Sequence, residues 1–424
     1  MKLTKLIVIA AVLLVACQLF AQSMGGITYV QKLAAKAEAT GQLQKLMPTA
    51  PARHVRSMVM IGGGFTPGQP PTKPANCNKT GFCPPSLAIA YGTVNVLGGN
   101  GGAGVTIGIT DAFHYANAEA DLNFFSTDMG LPACTTQNGC FKQVDQNGGQ
   151  NFCGSDSGWE VETMLDLEWA HAMAPNAKIV LVEGCTNEDS DLAVAVQTAV
   201  NLEGANFVSN SWGEDEFPEQ IQEDASWQGL NVPLLFASGD TGAPAIYPCT
   251  SIYATCVGGT LISLDSNFHR TSETGWGGSG GGCSLYESAP AYQTGNGVSL
   301  CSPHRAAPDV SAIGGSLVYI YDSGNGGYGR VTGTSLATPV VAGVLANVEA
   351  ARRGFGKKDF GQIIGDQLYH PYKTFSTPGS NYTYFYYDVV TGNNGHAAGP
   401  GYDLVTGLGV SYPVDMANRF FGLQ

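Results

Sequence analysis

Apolar runs alternate with helix-patterned segments through the middle of this chain, and that alternation limits its fold more than any other feature. VTIGITDAF (105–113), KIVLVEG (178–184), NFVSNSWG (206–213) and VPLLFASGD (232–240) are short, apolar and closed by turn residues. Between them, WEVETMLDLEWAHAM (159–173) and EDSDLAVAVQTAVNLEG (188–204) carry helical patterns. Strand, helix, strand in succession predicts an α/β fold with a mostly parallel central sheet and helices on both faces. Sites in such sheets lie beyond the C-terminal strand ends. Asp111, Ser211 and Asp240 stand at such ends.

The flanks read differently. Past about residue 260 the pattern loosens into Gly-rich loops, then recovers in a helix that starts near Ser335. Residues 22–76 combine a modest helical pattern, YVQKLAAKAEATGQLQKL, with a Gly/Pro-rich linker, so the main domain is expected over 77–424. The first residues pair a basic start (Lys2, Lys5) with the apolar run LIVIAAVLLVA. That run is shorter than the roughly 20 residues a membrane span needs. It reads as an export signal over 1–21, cut after Ala21. The rival is a lipoprotein box, Leu14-Val15-Ala16-Cys17, in which Cys17 carries the lipid. The expected location is therefore secreted or periplasmic, or lipid-anchored at the envelope, with no membrane span.

Cysteine usage agrees with export. Setting Cys17 aside leaves 11 − 1 = 10 cysteines. Eight fall as close neighbours, Cys77/Cys83, Cys134/Cys140, Cys249/Cys256 and Cys283/Cys301, and Cys153 and Cys185 remain as a fifth pair. An even set in an exported chain suggests disulfides, though sequence alone fixes no connectivity. No Cys or His cluster has zinc-ligand spacing. The 34 acidic residues outnumber the 20 basic ones, a net charge of −14 that argues against a nucleic-acid partner.

The stretch GRVTGTSLATPVVAGVLANVEAA (329–351) reads as strand, glycine turn and helix, with Ser335 at the turn. A serine there serves equally as a helix cap or as a nucleophile. The small-residue helix after Gly333-Thr334-Ser335, with Pro339 four residues on, resembles the nucleophile segment of subtilisin-like proteases. Those enzymes also need a histidine base. None of the seven histidines here, His54, His114, His171, His269, His304, His370 and His396, is followed by Gly-Thr.

Helix 159–173 offers another base. Glu162 and Asp166 are four apart and share one face. Buried together near a serine they would share a proton; exposed, they are a plain solvated acidic face. Glu160 and Glu168 do not project with Asp166. Asp240 caps a turn or, if protonated, donates to an oxyanion.

GTSLATP with Ser335, Glu162-Thr-Met-Leu-Asp166 and SGDTG with Asp240 together resemble the sedolisins, the serine-carboxyl peptidases of subtilisin-like fold. AYG (90–92), DAFHYANAEADL (111–122), SNSWGE (209–214), GGSGGGCS (277–284), RAAPDVSA (305–312) and GPGYDLVTGLG (399–409) extend the resemblance over about residues 85 to 424. The resemblance implies an exported endopeptidase acting on protein or peptide substrates in acid; a monomer is expected. Ser335 would be its nucleophile, Glu162 its base, Asp166 the partner that tunes Glu162, and Asp240 the oxyanion donor. Ser211, Trp212 and Gly213 would pair with substrate backbone, with Gly281 in the opposite wall. Asp111 matches a family position read as structural. The alternatives are a tripeptidyl exopeptidase of the same family and a catalytically inactive binding protein on a protease fold.

Asp388 and Asp403, with glycine-exposed carbonyls between them, are hard oxygen donors suited to calcium. The resemblance implies one structural calcium held by the Asp388 and Asp403 side chains and the carbonyls of Val389, Gly399 and Gly401. One departure stands out. Sedolisins usually carry a large folded prosegment, and only about 50 to 60 residues separate the expected signal from the expected domain here, which leaves the activation route open.

Overall fold

The apolar runs line up side by side in one sheet. The computed structural model describes residues 53–65, 77–96, 100–361, 364–375 and 382–419. In chain order, β1 (Arg56–Ser57) and β2 (Met60–Gly63) come first, followed by β3 (Thr106–Ala112), β4 (Phe141–Asp145), β5 (Lys178–Gly184) and β6 (Phe207–Asn210). Then come β7 (Trp212–Gly213), β8 (Leu234–Ala237) and β9 (Ala254–Leu264). The sheet order β4-β5-β3-β6-β8-β9 is parallel throughout. It continues in parallel through Val310–Ile313 and Val410–Ser411, and antiparallel pairs flank it at Tyr386–Tyr387 and Arg270–Gly275.

Both faces of the sheet are covered, as a parallel sheet requires. Ile179 and Leu181 of β5 join one buried cluster while Val180 and Val182 join the other, the period-two alternation of a strand. Helix α1 (Ser157–Met173) lies on the first face and α2 (Asp189–Asn201) on the second. A third helix, α3 (Thr334–Gly354), runs beside α1.

Local chemistry sets where α1 begins and ends. The Asp156 carboxylate accepts from Gly158 N and Trp159 N, a cap worth about 1 kcal/mol. Pro175 follows its end at Ala174 and disfavours a further helical residue. From Val161 to Met173 every residue is buried, so α1 is a core helix and not a solvated acidic one. It approaches α3 at Gly343, where a Cβ would stand 2.5 Å from that of Met173. Among the described residues, α3 alone is long and apolar enough to cross a membrane, and its apolar stretch is buried in the core.

All five cysteine pairs expected from spacing are closed as disulfides. Described residues ahead of the expected boundary at 77 already pair with the strands of this domain, from Arg56 on. β1 pairs with β7, and β2 adds to the edge of strand Gly327–Thr332. These partners are distant in sequence, so a linker-like composition concealed two real strands. The segment 1–21, Cys17 and the helical pattern at 29–46 lie outside the described residues.

Candidate active site

The site forms where three strand ends meet the start of α3. Asp111 is next to last in β3, Ser211 follows β6, and Asp240 stands just past β8. α1 supplies Glu162 and Asp166 from one face, and both are fully buried.

Ser335 Oγ donates to Glu162 Oε2 at 2.9 Å. Among the described residues no histidine is bonded to Ser335. Ser211 Oγ donates to Asp166 Oδ1 at 2.7 Å and lies 3.3 Å from the Ser335 carbonyl oxygen. That carbonyl lacks its usual helical donor, because the residue four ahead is Pro339, which has no N–H. Pro339 thus makes room for Ser211 to link the start of α3 to Asp166. Glu162 Oε1 and Asp166 Oδ2 make no hydrogen bond, so the two carboxyls are neighbours without a direct bond between them.

Asp240 is held from one side. Its Oδ1 accepts from Thr334 N at 2.7 Å and Thr334 Oγ1 at 2.8 Å, which caps α3 from a separate strand end. Its Oδ2 is buried without a partner. Gly333, with φ of 142°, lies beside it. A Cβ on Gly333 would sit 2.7 Å from Asp240 Oδ2 and 2.1 Å from the carbonyl oxygen of Met58.

Burial, then the neighbouring Asp166 and Asp111 carboxyls, hold Glu162 well above the usual carboxylate range, against a pull from the Ser335 bond. Burial and Asp111 raise Asp166 in the same way. Burial and then Glu183 push Asp111 up to about 8. Burial pushes Asp240 up to about 7, while its Thr334 bonds and the Arg56 guanidinium pull the other way. Two charges 4 Å apart interact by about 4 kcal/mol at an effective dielectric near 20, so such a cluster keeps protons instead of ionising throughout.

The chain's own β1 occupies the edge of β7. Arg56 pairs with Gly213 and Ser57 with Trp212, antiparallel. Met58 N donates to Ser211 O at 3.0 Å, and Ser335 N donates to Met58 O at 3.2 Å. Ser211, Trp212 and Gly213 therefore present a backbone edge that takes an extended strand. The Trp212 ring points into the core, donating from Nε1 to Thr110 O at 3.0 Å. Gly281 is not brought to this strand. Its backbone lies against the C-terminal loop, where a Cβ would meet Leu404 O at 2.1 Å, and among the described residues β1 pairs on one side only.

Sequence reasoning missed Thr334, the anchor of Asp240, and treated Asp111 as structural although it raises both Glu162 and Asp166. Thr334 adjoins the serine in the GTS motif, and Asp111 is an acid at a strand end; those were the available signals. Residues 53–59 gave none, because their partners are some 150 residues away.

Near the C-terminus, Gly401 N donates to both Asp388 oxygens at 3.1 Å and Gly399 N to Asp403 Oδ2 at 3.0 Å. Asp403 Oδ1 accepts from Val405 N and Thr406 N, each at 2.8 Å. Burial and then the Asp403 charge raise Asp388. Among the described residues neither carboxylate has a cationic partner. Two carboxylates held at glycine turns offer hard oxygen donors that fit a divalent ion.

The subtilase family profile matches residues 149–370. Sedolisin of Pseudomonas sp. (strain 101) is 25% identical over 357 residues, covering 72% of this chain and 56% of that protein. Kumamolisin of Bacillus sp. (strain MN-32) is 28% identical over 376 residues, covering 78% and 62%. The chain spans about half the length of the curated relatives it matches. The solved structure of Pseudomonas sedolisin, a serine-carboxyl proteinase complexed with two molecules of pseudo-iodotyrostatin, superposes with a TM-score of 0.69 at 24% identity. It covers 81% of this chain and 99% of that one, and shows the same fold.

Proposed function

The chain belongs to the subtilase family, on its sedolisin branch, and from that premise we propose that it is an exported serine-carboxyl endopeptidase working in acid. The observation that carries this reading is the buried bond from Ser335 Oγ to Glu162 Oε2 at 2.9 Å, inside a cluster of proton-holding carboxyls.

Each group has a role its surroundings suit. Ser335 Oγ attacks the peptide carbonyl, and Glu162 takes its proton and later gives it to the leaving amine. Asp166, positioned by Ser211, shares charge with Glu162 and keeps it basic for a carboxylate. Ser335 N–H and a protonated Asp240 Oδ2 stabilise the oxyanion, each a fixed donor in a dry site. Substrate adds as a strand on Ser211-Trp212-Gly213.

The groove favours internal cleavage over release of tripeptides. On the N-terminal side of Met58 it holds a strand as far back as Arg53, whose carbonyl accepts from Asp189 N at 3.0 Å. An exopeptidase that counts three residues needs that side closed. The inactive-binder reading is disfavoured because the whole bonded constellation is retained.

Calcium, when bound, would neutralise the facing acids and fix the C-terminal loops near α3. Asp388 and Asp403 would hold it, with carbonyls of Val389, Gly399 and Gly401. Five disulfides suit an oxidising compartment. Digestion of a denatured protein by the purified chain, with products read by mass spectrometry, tests the reading. Internal cuts that vanish in Ser335→Ala support it, and full activity in that variant ends it.

A further inference from the structure

We propose that the protein selects arginine-bearing peptides at a distance, through a guanidinium subsite built from Glu214 and Phe217 that takes the side chain five residues before the one whose carbonyl is attacked. This rests on the peptidase reading above and names a specificity determinant for it, away from the catalytic carboxyls.

Residues 53–58 mark the line a peptide follows through the groove. Near the nucleophile, Ser57 and Arg56 pair with Trp212 and Gly213. Farther out the strand passes to a second support, the loop after β5. Val55 N donates to Asn187 O at 2.9 Å, Asn187 Nδ2 donates to Val55 O at 2.8 Å, and Asp189 N donates to Arg53 O at 3.0 Å. These bonds fix the register between the Met58 carbonyl and the Arg53 side chain. At roughly 3.3 Å per residue, five extended residues reach about 17 Å. An external peptide that displaces residues 53–58 follows the same line.

The Arg53 guanidinium is held by a carboxylate and a ring. Its Nε donates to Glu214 Oε1 at 3.2 Å and Oε2 at 3.1 Å. Its Cζ lies 3.2 Å from the centroid of the Phe217 ring, a cation–π stack. Both partners are fixed by residues outside the bound strand. Glu214 N donates to Tyr247 O at 2.8 Å, and Tyr247 N donates back to Glu214 O at 2.9 Å. The Phe217 ring is 5% exposed and packs edge-on against Tyr247, with centroids 5.4 Å apart. The cradle therefore belongs to the body of the enzyme.

The charge around it calls for a cation. One carboxyl oxygen from each of Asp189, Glu214 and Glu223 lies within 4.8 Å of the others. Burial, then a bond to Asp189, push Glu223 up to about 8, so it keeps its proton. Burial raises Glu214 too, and the Arg53 guanidinium opposes that rise. Acids this close ionise readily only beside a positive charge. Acidity alone would not say which cation; the ring does. A planar guanidinium lies flat on an aromatic face while its N–H meets a carboxylate, which a compact ammonium does less well.

The test measures kcat/KM of the full chain on acetylated, amidated PARHVRSMVMIG, the sequence of residues 51–62, and on versions with one arginine replaced. It is run at about pH 6, where a buried Asp240 raised to about 7 keeps its proton. Cleavage after the first Met is read by mass spectrometry, with denatured casein as a separate substrate. Gln for the first Arg should slow that cut roughly tenfold to a hundredfold, with Lys in between. Gln for the second Arg should cost at most about fivefold, since the Arg56–Asp215 pair is open to water. In Glu214→Gln the first-Arg to first-Gln ratio should fall to about threefold, which the ring alone sustains. A ratio taken within one enzyme cancels any general loss of activity. If wild type cuts the first-Arg and first-Gln peptides equally fast, or Glu214→Gln keeps the wild-type ratio, the distal subsite is overturned and the peptidase reading stands. The same holds if casein is cut and neither peptide is. If casein and both peptides stay whole, the peptidase reading falls and takes this proposal with it.

Discussion

Asp240 and Thr334 are joined twice, by the Thr334 backbone N–H and by its hydroxyl, and both bonds end on the same carboxyl oxygen, Oδ1. The other oxygen is left buried, without a partner and beside the position of a bound carbonyl. An ionised carboxylate there would repel an oxyanion; a neutral one donates to it. Burial supplies the neutral form by pushing Asp240 up to about 7.

Under the proposed function this should set the alkaline limb of activity. As pH rises through about 7, Asp240 loses its proton and kcat/KM should fall. Asp240→Asn keeps a donor that does not titrate, so that limb should disappear even if the absolute rate drops. Asp240→Ala should lose roughly a hundredfold to a thousandfold in kcat. A pH profile with the same alkaline limb in the Asn variant would assign the limb to another group.

Stability should follow the same acids. Asp111, Asp240 and Asp224 are pushed by burial up to about 8, 7 and 6. A folded-state value above the unfolded one means the native protein binds the proton more tightly. The stabilisation is therefore complete below about pH 4 and is lost as pH climbs through about 6 to 8. Thermal melts of Ser335→Ala, which cannot digest itself, should give a Tm a few degrees higher at about pH 4 than at about pH 8. A Tm that rises across that interval would contradict the burial of these carboxyls.

Calcium should act in the opposite direction, since its ligands must be ionised. At about pH 6, a chelator should lower the Tm of the full chain, and added calcium should restore it. Asp403→Asn should melt lower and respond little to either. If chelator leaves the wild-type Tm unchanged, Asp388 and Asp403 are held by their backbone donors alone.

Much of this architecture was legible in the sequence because it is local. Strand and helix periodicity predicted β3, β5, α1 and α2 within a few residues. Four-residue spacing placed Glu162 and Asp166 on one face, and the missing histidine turned attention to them. What sequence did not disclose is long-range. β1 and β2 are short, and they exist only because β7 and strand Gly327–Thr332 offer edges. Their own composition resembles a linker. At Gly281 the glycine serves a close approach that is also long-range, its backbone packing against the Leu404 carbonyl.

The occupied groove also predicts which peptides an open enzyme prefers. In the bound segment, Val55 and Met58 are buried and Arg56 is exposed. Burying a methionine or valine side chain contributes about 1.5–3 kcal/mol, or roughly tenfold to more than a hundredfold in kcat/KM if realised in the transition state. A synthetic peptide of sequence RHVRSMVM should be cut between its first Met and the following Val. Asp in place of that Met should reduce kcat/KM by about that factor, because a buried charge replaces a buried thioether. Lys in place of the second Arg should change little, since that side chain faces water. Equal rates for the Met and Asp peptides would mean that Met58 is buried by its own chain's packing and not by a pocket the enzyme presents to substrates.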